Sequence, residues 1–218
     1  MRAIIIAAGD GRRWDNYLGV PKHLAPVKGE AIIHRTQRQL AERGVSDVRV
    51  VTRDDRYVTT GASEEPVGFE DARGGVKKFL DSSHLWNPEG RTVVIYGDVY
   101  FTDAGMDTLV GHEAREWLLF CRFTQSSFNG GRHAECFAQS FYPEHHAEHL
   151  AALHRVRDLA ATGGLRRAGG WEHYKAMTGA ALVSGGAQVN RGRCVVIDDA
   201  TDDVDRPVHY HTLLQAVG

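Results

Sequence analysis

The chain has 218 residues, 42% of them hydrophobic and 25% charged, with a formal net charge of -2, which excludes a disordered or fibrous chain and suffices for one substantial core. Acids and bases are interspersed without a long basic run, so an extended nucleic-acid footprint is not expected, whereas a local cluster for a small phosphate ligand is still open. Cys121, Cys136 and Cys194 lie far apart with no C-x-x-C pair, against a disulfide framework or a cysteine zinc site; neither a signal-peptide core nor a membrane-length apolar run is present, so a cytoplasmic protein without membrane partners is expected.

Arg2 to Ala7 is almost wholly apolar, as expected for a strand covered on both faces of a parallel sheet, and it breaks into Ala8-Gly9-Asp10-Gly11-Arg12-Arg13. Glycines there let the backbone turn and bring bare N–H groups near an anion, and the arginines add charge, so the loop is suited to phosphate. Pro21-Lys22-His23-Leu24 follows. Ala31 to Arg43 carries Ile32, Ile33, Thr36 and Leu40 near one face and stops at Gly44, predicting a helix; Val48 to Thr52 predicts the next strand, completing a β-α-β unit. Thr59 to Arg73 has no clear period and is read as loop with a short strand around Val67 to Phe69. After Gly74-Gly75, Val76 to Ser83 predicts a short helix. Thr92 to Tyr96 is the second strongly apolar strand, and it delivers Asp98 just past its carboxyl end, where ligands bind in open α/β sheets.

Ala104 to Gly111 predicts a short helix, and Trp117 to Phe123 and Glu135 to Phe141 an antiparallel strand pair joined through Asn129-Gly130-Gly131. Pro143 opens a long helix to about Ala161. Arg166 to Gly192 is basic, glycine-studded and carries no assignment, with some apolar character from Met177 to Ser184. Its Lys175 is a candidate phosphate ligand on an acceptor side. Arg193 to Ile197 reads as a last strand before the acidic stretch Asp198 to Asp205. His145, His146, His149 and His154 on the long helix lack an H-E-x-x-H pattern and read as solvated rather than as a zinc site.

Two generic phosphate loops are excluded by spelling: no Gly-Lys-Ser/Thr string exists, and Trp14 stands where a dinucleotide fingerprint needs its third glycine. Ile6-Ala7-Ala8-Gly9-Asp10-Gly11-Arg12-Arg13 instead resembles the Leu-Ala-Ala-Gly-X-Gly-Thr-Arg signature of the nucleotidyltransferase superfamily, the pyrophosphorylases that make nucleotide-sugars and related activated alcohols. Pro21-Lys22-His23-Leu24 is similar to its Pro-Lys-X-Leu element, Gly97-Asp98 to its metal-binding Gly-Asp, and Asp203-Val204-Asp205-Arg206-Pro207 to its late Asp-Ile-Asp-Thr-Pro segment. The resemblance implies a Rossmann-like three-layer α/β/α domain over residues 1–218 with a mostly parallel central sheet, residues 1–111 mainly holding nucleotide and 112–218 mainly the acceptor.

It also implies a chemistry. A phosphate oxygen of a small phosphorylated acceptor would attack the α-phosphorus of a nucleoside triphosphate in line, releasing pyrophosphate, with Mg²⁺ bridging the phosphates. Asp98 and Asp205 would supply the carboxylates, with Asp203 the alternative to Asp205. Ala7, Ala8, Gly9 and Gly11 would line the nucleotide, Arg13 would grip its β- and γ-phosphates, and Lys22 would neutralise charge at the α-phosphate. An anionic phosphate nucleophile needs no general base. Arg12, Trp14, Arg206 and His209 depart from the family pattern. Two rivals stand beside this reading: a glycosyltransferase of the related nucleotide-sugar fold, with Asp203-Val204-Asp205 as a D-x-D metal motif, and a non-catalytic nucleotide sensor. The base, the acceptor and the oligomeric state, a homodimer included, are left open.

Overall fold

Successive side chains of a strand point to opposite faces, so a strand apolar at every position must be covered twice. The first strand, β1 (Arg2–Ile6), meets this condition in the computed structural model, which describes residues 1–9, 11–66, 75–123, 134–183 and 191–218. Ala3 and Ile5 enter one core layer with Ile33, Leu40, Met106 and Leu109, and Ile4 and Ile6 enter the other with Val76, Phe79, Leu153, Val156 and Tyr174. The first layer comes from α1 (Ile32–Glu42) and α3 (Asp103–Gly111); the second comes from α2 (Gly75–Asp81), α4 (His146–Ala161) and α5 (Gly170–Thr178).

A short hairpin, β2 (Pro26–Val27) with β3 (Glu30–Ala31), leads into α1, and the remaining strands are β4 (Asp47–Thr52), β5 (Ala62–Pro66), β6 (Thr92–Tyr96), β7 (Val99–Tyr100), β8 (Leu118–Arg122), β9 (Glu135–Phe141), β10 (Cys194–Val196) and β11 (Asp202–Asp203). The main sheet has seven strands in the order β10-β8-β9-β6-β1-β4-β5. Only β9 runs against its neighbours. The three-layer, mostly parallel architecture matches expectation. The parallel strands β1, β4 and β6 end at one edge, which therefore collects the glycine loop, the segment bearing Tyr57, and Asp98. A third apolar cluster closes that edge: Trp14, Val27, Ile32 and Tyr100 pack with Tyr210 and Leu213 of the last helix, α6 (Pro207–Val217). Among the described residues, no helix is long and apolar enough to cross a membrane.

Several local expectations are corrected. A strand beside β4 lies at Ala62–Pro66; positions 67–69 fall outside the described residues, as do Asp10 and Asn129-Gly130-Gly131. Its Ser63-Glu64-Glu65 polarity suits a sheet edge and hides it from an apolar-run criterion. The unassigned basic segment contains α5, whose inward face is His173, Tyr174 and Met177. Its ends were signalled by Glu172, which accepts a hydrogen bond from the Gly169 N–H at 3.0 Å, and by Gly179 in the left-handed region at φ 71, the usual residue for a helix stop. The strand at Cys194–Val196 is not the last, because β11 follows and pairs with β7.

The histidines of α4 do not share one environment. His154 is exposed, but His149 belongs to the inward face with Ala152, Leu153 and Val156, at the i, i+3, i+4, i+7 spacing of a buried stripe. His149 is stacked on Trp86 at 4.5 Å and on His173 at 4.6 Å between ring centroids. Among the described residues, no ring nitrogen of His149 or His173 has a hydrogen-bond partner. Burial pushes His149 well below its usual value and His173 down to about 3. Both stay neutral when folded, whereas the unfolded chain protonates them near pH 6.5. Stability contributed by their neutrality is thus complete above that pH and falls as the pH drops toward 3. Urea unfolding midpoints should decline between pH 7 and pH 4, and His173→Phe should flatten that decline by up to ~1.4 kcal/mol per pH unit.

Candidate active site

The first strand's pairing continues one residue beyond its end, with the Ala7 N–H donating to Val51 O at 2.9 Å, so Ala7 and Ala8 stay buried at 3% and 5% exposure. The chain then turns outward through Gly9 and Gly11, the latter at φ 62, where a side chain is disfavoured. Trp14 anchors the far side of the turn. It is 1% exposed, donates from Nε1 to Val20 O at 2.7 Å, and meets Tyr17 and Tyr210 edge to face at 5.3 and 5.8 Å. Its departure from the usual aliphatic residue is thus accommodated by α6, which closes over the loop.

Asp98 reaches the same place from β6. Gly97 donates to Ile6 O at 3.0 Å, and a Cβ on Gly97 would lie 2.9 Å from Ile6 O and 3.2 Å from Ala7 Cα. Only glycine allows this approach, and the obstructing atoms are backbone. Gly97→Ala should therefore displace Asp98 from the glycine loop and lower turnover about tenfold or more, measured as pyrophosphate release; wild-type rates would show that the close approach is dispensable.

The late acidic segment is brought in by pairing. Asp202 and Asp203 of β11 lie antiparallel to Tyr100 and Val99, and the Val204 N–H donates to Asp98 O at 2.9 Å. Arg122 on β8 fixes the segment from below, with its guanidinium 2.8 Å from Asp202 Oδ1 and 2.8 Å from Thr201 O. Asp205 consequently stands beside Asp98, and the Lys22 ammonium, from a turn in which Lys22 is 8% exposed, donates to both: to Asp98 Oδ2 and, at 2.8 Å, to Asp205 Oδ1. Arg13 closes the arrangement at 2.5 Å from Asp205 Oδ2, with its side chain 62% exposed.

Burial disfavours ionisation of Lys22 and Asp98 alike, but their proximity wins. The lysine is raised above its ordinary range, despite burial, by Asp98 and Asp205, and the Asp98 carboxyl is held far below the usual range, despite burial, by Lys22. Asp203 behaves oppositely: burial and the charges of Glu135, Asp205 and Asp98 push it up to about 9, so it carries a proton at neutral pH and hydrogen-bonds to Asp205. Burial first, then Asp202 and Asp205, pushes Glu135 up to about 7.

Arg13, Lys22, Asp98 and Asp205 thus converge beside Ala7, Ala8, Gly9 and Gly11. Lys175 lies on α5, half-buried, and among the described residues no hydrogen bond or ion pair joins it to Lys22, Asp98 or Asp205. A cavity of about 270 Å³ adjoins the cluster and is lined by Gly9, Gly11, Lys22, His23 and Tyr57 among others. A larger one, about 360 Å³, lies between the end of α1 and β4 and is lined by Gln37, Ser46, Thr59 and Thr60 among apolar residues, with no ionisable side chain. Sequence reasoning gave no role to His23, Tyr57 or Glu135. For Glu135 no local signal exists, since it is simply the first residue of β9.

A sequence profile of the MobA-like NTP transferase domain matches residues 3–168, which include the glycine loop, Lys22 and Asp98. The chain belongs to the MobA-like NTP transferase family. It is accordingly a nucleotidyltransferase enzyme, with the fold of such enzymes. No curated protein matches it in sequence. Among solved structures, the chain is similar to the CTP:phosphocholine cytidylyltransferase LicC of Streptococcus pneumoniae, at 14% identity and a TM-score of 0.64 over 100% of this chain and 99% of that one. A protein assigned as a glucose-1-phosphate thymidylyltransferase from Bacillus anthracis, solved with sucrose, gives 14% and 0.65 over 99% and 94%. Rv0371c from Mycobacterium tuberculosis H37Rv gives 18% and 0.64 over 99% and 98%. At these identities the likeness is one of fold. The profile ends before Asp205, so the late carboxylate rests on the resemblance of its motif and on geometry.

Proposed function

We propose that the protein transfers a nucleotidyl group from a nucleoside triphosphate to a sugar 1-phosphate or a similar small phosphorylated alcohol, releasing pyrophosphate, with Mg²⁺ as cofactor. The observation that carries this reading is the single ammonium of Lys22 held by Asp98 and Asp205 at the mouth of the glycine loop. Two aspartate side chains with oxygen-only donors, beside a space for phosphates, fit a hard divalent cation that prefers one or two carboxylates plus substrate oxygens. Asp98 and Asp205 would hold it, and when bound it would neutralise charge on the triphosphate.

The chain's own groups account for the rest. Gly9 and Gly11 present backbone N–H groups to the phosphate chain, and Arg13 is exposed enough to swing toward the β- and γ-phosphates. Lys22 lies where it can donate to an α-phosphate oxygen as negative charge builds there. A bond forms between an acceptor phosphate oxygen and the α-phosphorus as the bond from that phosphorus to the β-bridging oxygen breaks, and pyrophosphate carries the electron pair away. The nucleophile is already anionic, so no proton need be removed.

The test is pyrophosphate release with Mg²⁺ across the four ribonucleoside triphosphates and deoxythymidine triphosphate, each with a panel of sugar 1-phosphates and small alcohol phosphates, phosphocholine among them. Release dependent on one triphosphate and one acceptor is expected. Silence across the panel, with nucleotide-sugar hydrolysis or transfer in its place, would replace this reading with the glycosyltransferase one.

A further inference from the structure

We propose that His23 is a phosphate-binding residue of the nucleotide site, donating an imidazole N–H to the phosphate chain in the cavity next to Lys22. This rests on the nucleotidyl-transfer reading and adds to it a contact at the variable position of the Pro-Lys-X-Leu element.

His23 is 4% exposed, yet it lines the 270 Å³ cavity together with Gly9, Gly11 and Tyr57. Its Nδ1 has no hydrogen-bond partner among the described residues, an uncommon condition for a buried polar atom. His149 and His173 share that condition, but they are enclosed by aromatic rings in the core, whereas His23 borders open space at the active site. Its ring is also held in place. Tyr57 lies against it at 5.1 Å between ring centroids, and the Tyr57 carbonyl accepts from buried Gln37 Nε2 at 2.6 Å.

The surroundings select the ligand. Lys22 borders the cavity, and the Lys78 ammonium, from α2, lies 3.8 Å from where a Gly9 Cβ would stand. A cavity bordered by Lys22 and two loop glycines, with a second ammonium close to Gly9, suits an anion with oxygen acceptors. Burial holds the imidazole down to about 4, so at neutral pH it brings one N–H and no charge. Such a donor matches a phosphate oxygen that carries no proton.

The experiment compares wild type with His23→Phe, which keeps a ring against Tyr57 but removes both nitrogens, and with His23→Asn, which keeps an N–H donor. Binding of inorganic tripolyphosphate is measured with Mg²⁺ present, together with KM and kcat for the triphosphate that wild type turns over. His23→Phe should weaken tripolyphosphate binding and raise KM by the same five- to tenfold or so, with kcat within about twofold, and His23→Asn should recover most of the loss. In the wild type, the His23 imidazole NMR signals should shift on adding tripolyphosphate, a readout that needs no substitution. Unchanged tripolyphosphate affinity in His23→Phe, a KM rise for the nucleotide alone, or unmoved imidazole signals would overturn the proposal. His23-dependent tripolyphosphate binding in a protein that releases no pyrophosphate with any substrate pair would instead uphold the phosphate contact and remove the transfer reading.

Discussion

Lys22→Met is expected to lower turnover by about 10²–10³-fold and to invert the contribution of Asp98 to the pH dependence of stability. In the wild type, Asp98 ionises far more readily than an ordinary carboxyl because Lys22 outweighs burial. Its contribution to stability is present above the unfolded carboxylate value, about 3.9, and is lost as the pH falls through the lower folded value. Without the ammonium, burial, the largest influence on this carboxyl, outweighs the backbone hydrogen bond that still lowers it, and the folded value rises above the unfolded one. Stability then accrues below the unfolded value and disappears as the pH rises through the folded one. At neutral pH the variant keeps two close, partly desolvated carboxylates, Asp98 and Asp205, whose loss of a buried partner costs about 3–5 kcal/mol. The histidines and Asp203 contribute their own pH dependence to both proteins, so the prediction concerns the difference: the denaturant midpoint of the wild type minus that of Lys22→Met should widen as the pH rises from 3 to 8. Added Mg²⁺ should raise the variant's midpoint more than the wild type's, because a ligand that binds only the folded state stabilises it. Parallel pH profiles for the two proteins would show that Lys22 does not govern Asp98.

The second large effect concerns the carboxylates. Asp98→Asn should leave Lys22 paired with Asp205 at 2.8 Å, preserve the fold, and reduce Mg²⁺-dependent pyrophosphate release by about 10³-fold or below detection. Asp205→Asn should do the same. Asp203→Asn is the control: its carboxyl is pushed up to about 9 and already holds a proton at neutral pH, so an amide there replaces one neutral group with another and rates should stay within about tenfold. Circular dichroism and melting temperature verify folding in each variant. Equal losses at positions 203 and 205 would mean that both carboxylates contact the cation and that the proton on Asp203 leaves when the site is filled.

How much of this was legible beforehand depended on distance along the chain. The β-α-β start was legible because each element satisfies a local rule: an unbroken apolar run for a strand covered on both faces, a helical stripe ending at Gly44 with φ 78, and an aspartate just past a strand end. The glycine loop, Lys22 and Asp98 fall within or beside those elements, so the sequence alone placed them at one sheet edge. The family resemblance ordered them into a site. Where periodicity was weak the reading failed, as in α5, whose Gly, Glu, His and Lys content masks an inward face formed only against α4 and α2.

The sequence by itself thus determined the fold class, the sheet edge that bears the chemistry and the residue types available there, because strand periodicity, turn glycines and charge are properties of neighbouring residues. Only the tertiary structure decided which partners meet. Lys22 and Asp205 are 183 positions apart; they are joined because β11 pairs with β7 and Arg122 pins Asp202. It likewise turned Asp203 inward to keep its proton, buried His149 against His173, and set His23 at the rim of a cavity. Burial and charge proximity are sums over residues brought together from across the chain, and they exist only once the sheet is assembled and α6 has closed over the loop.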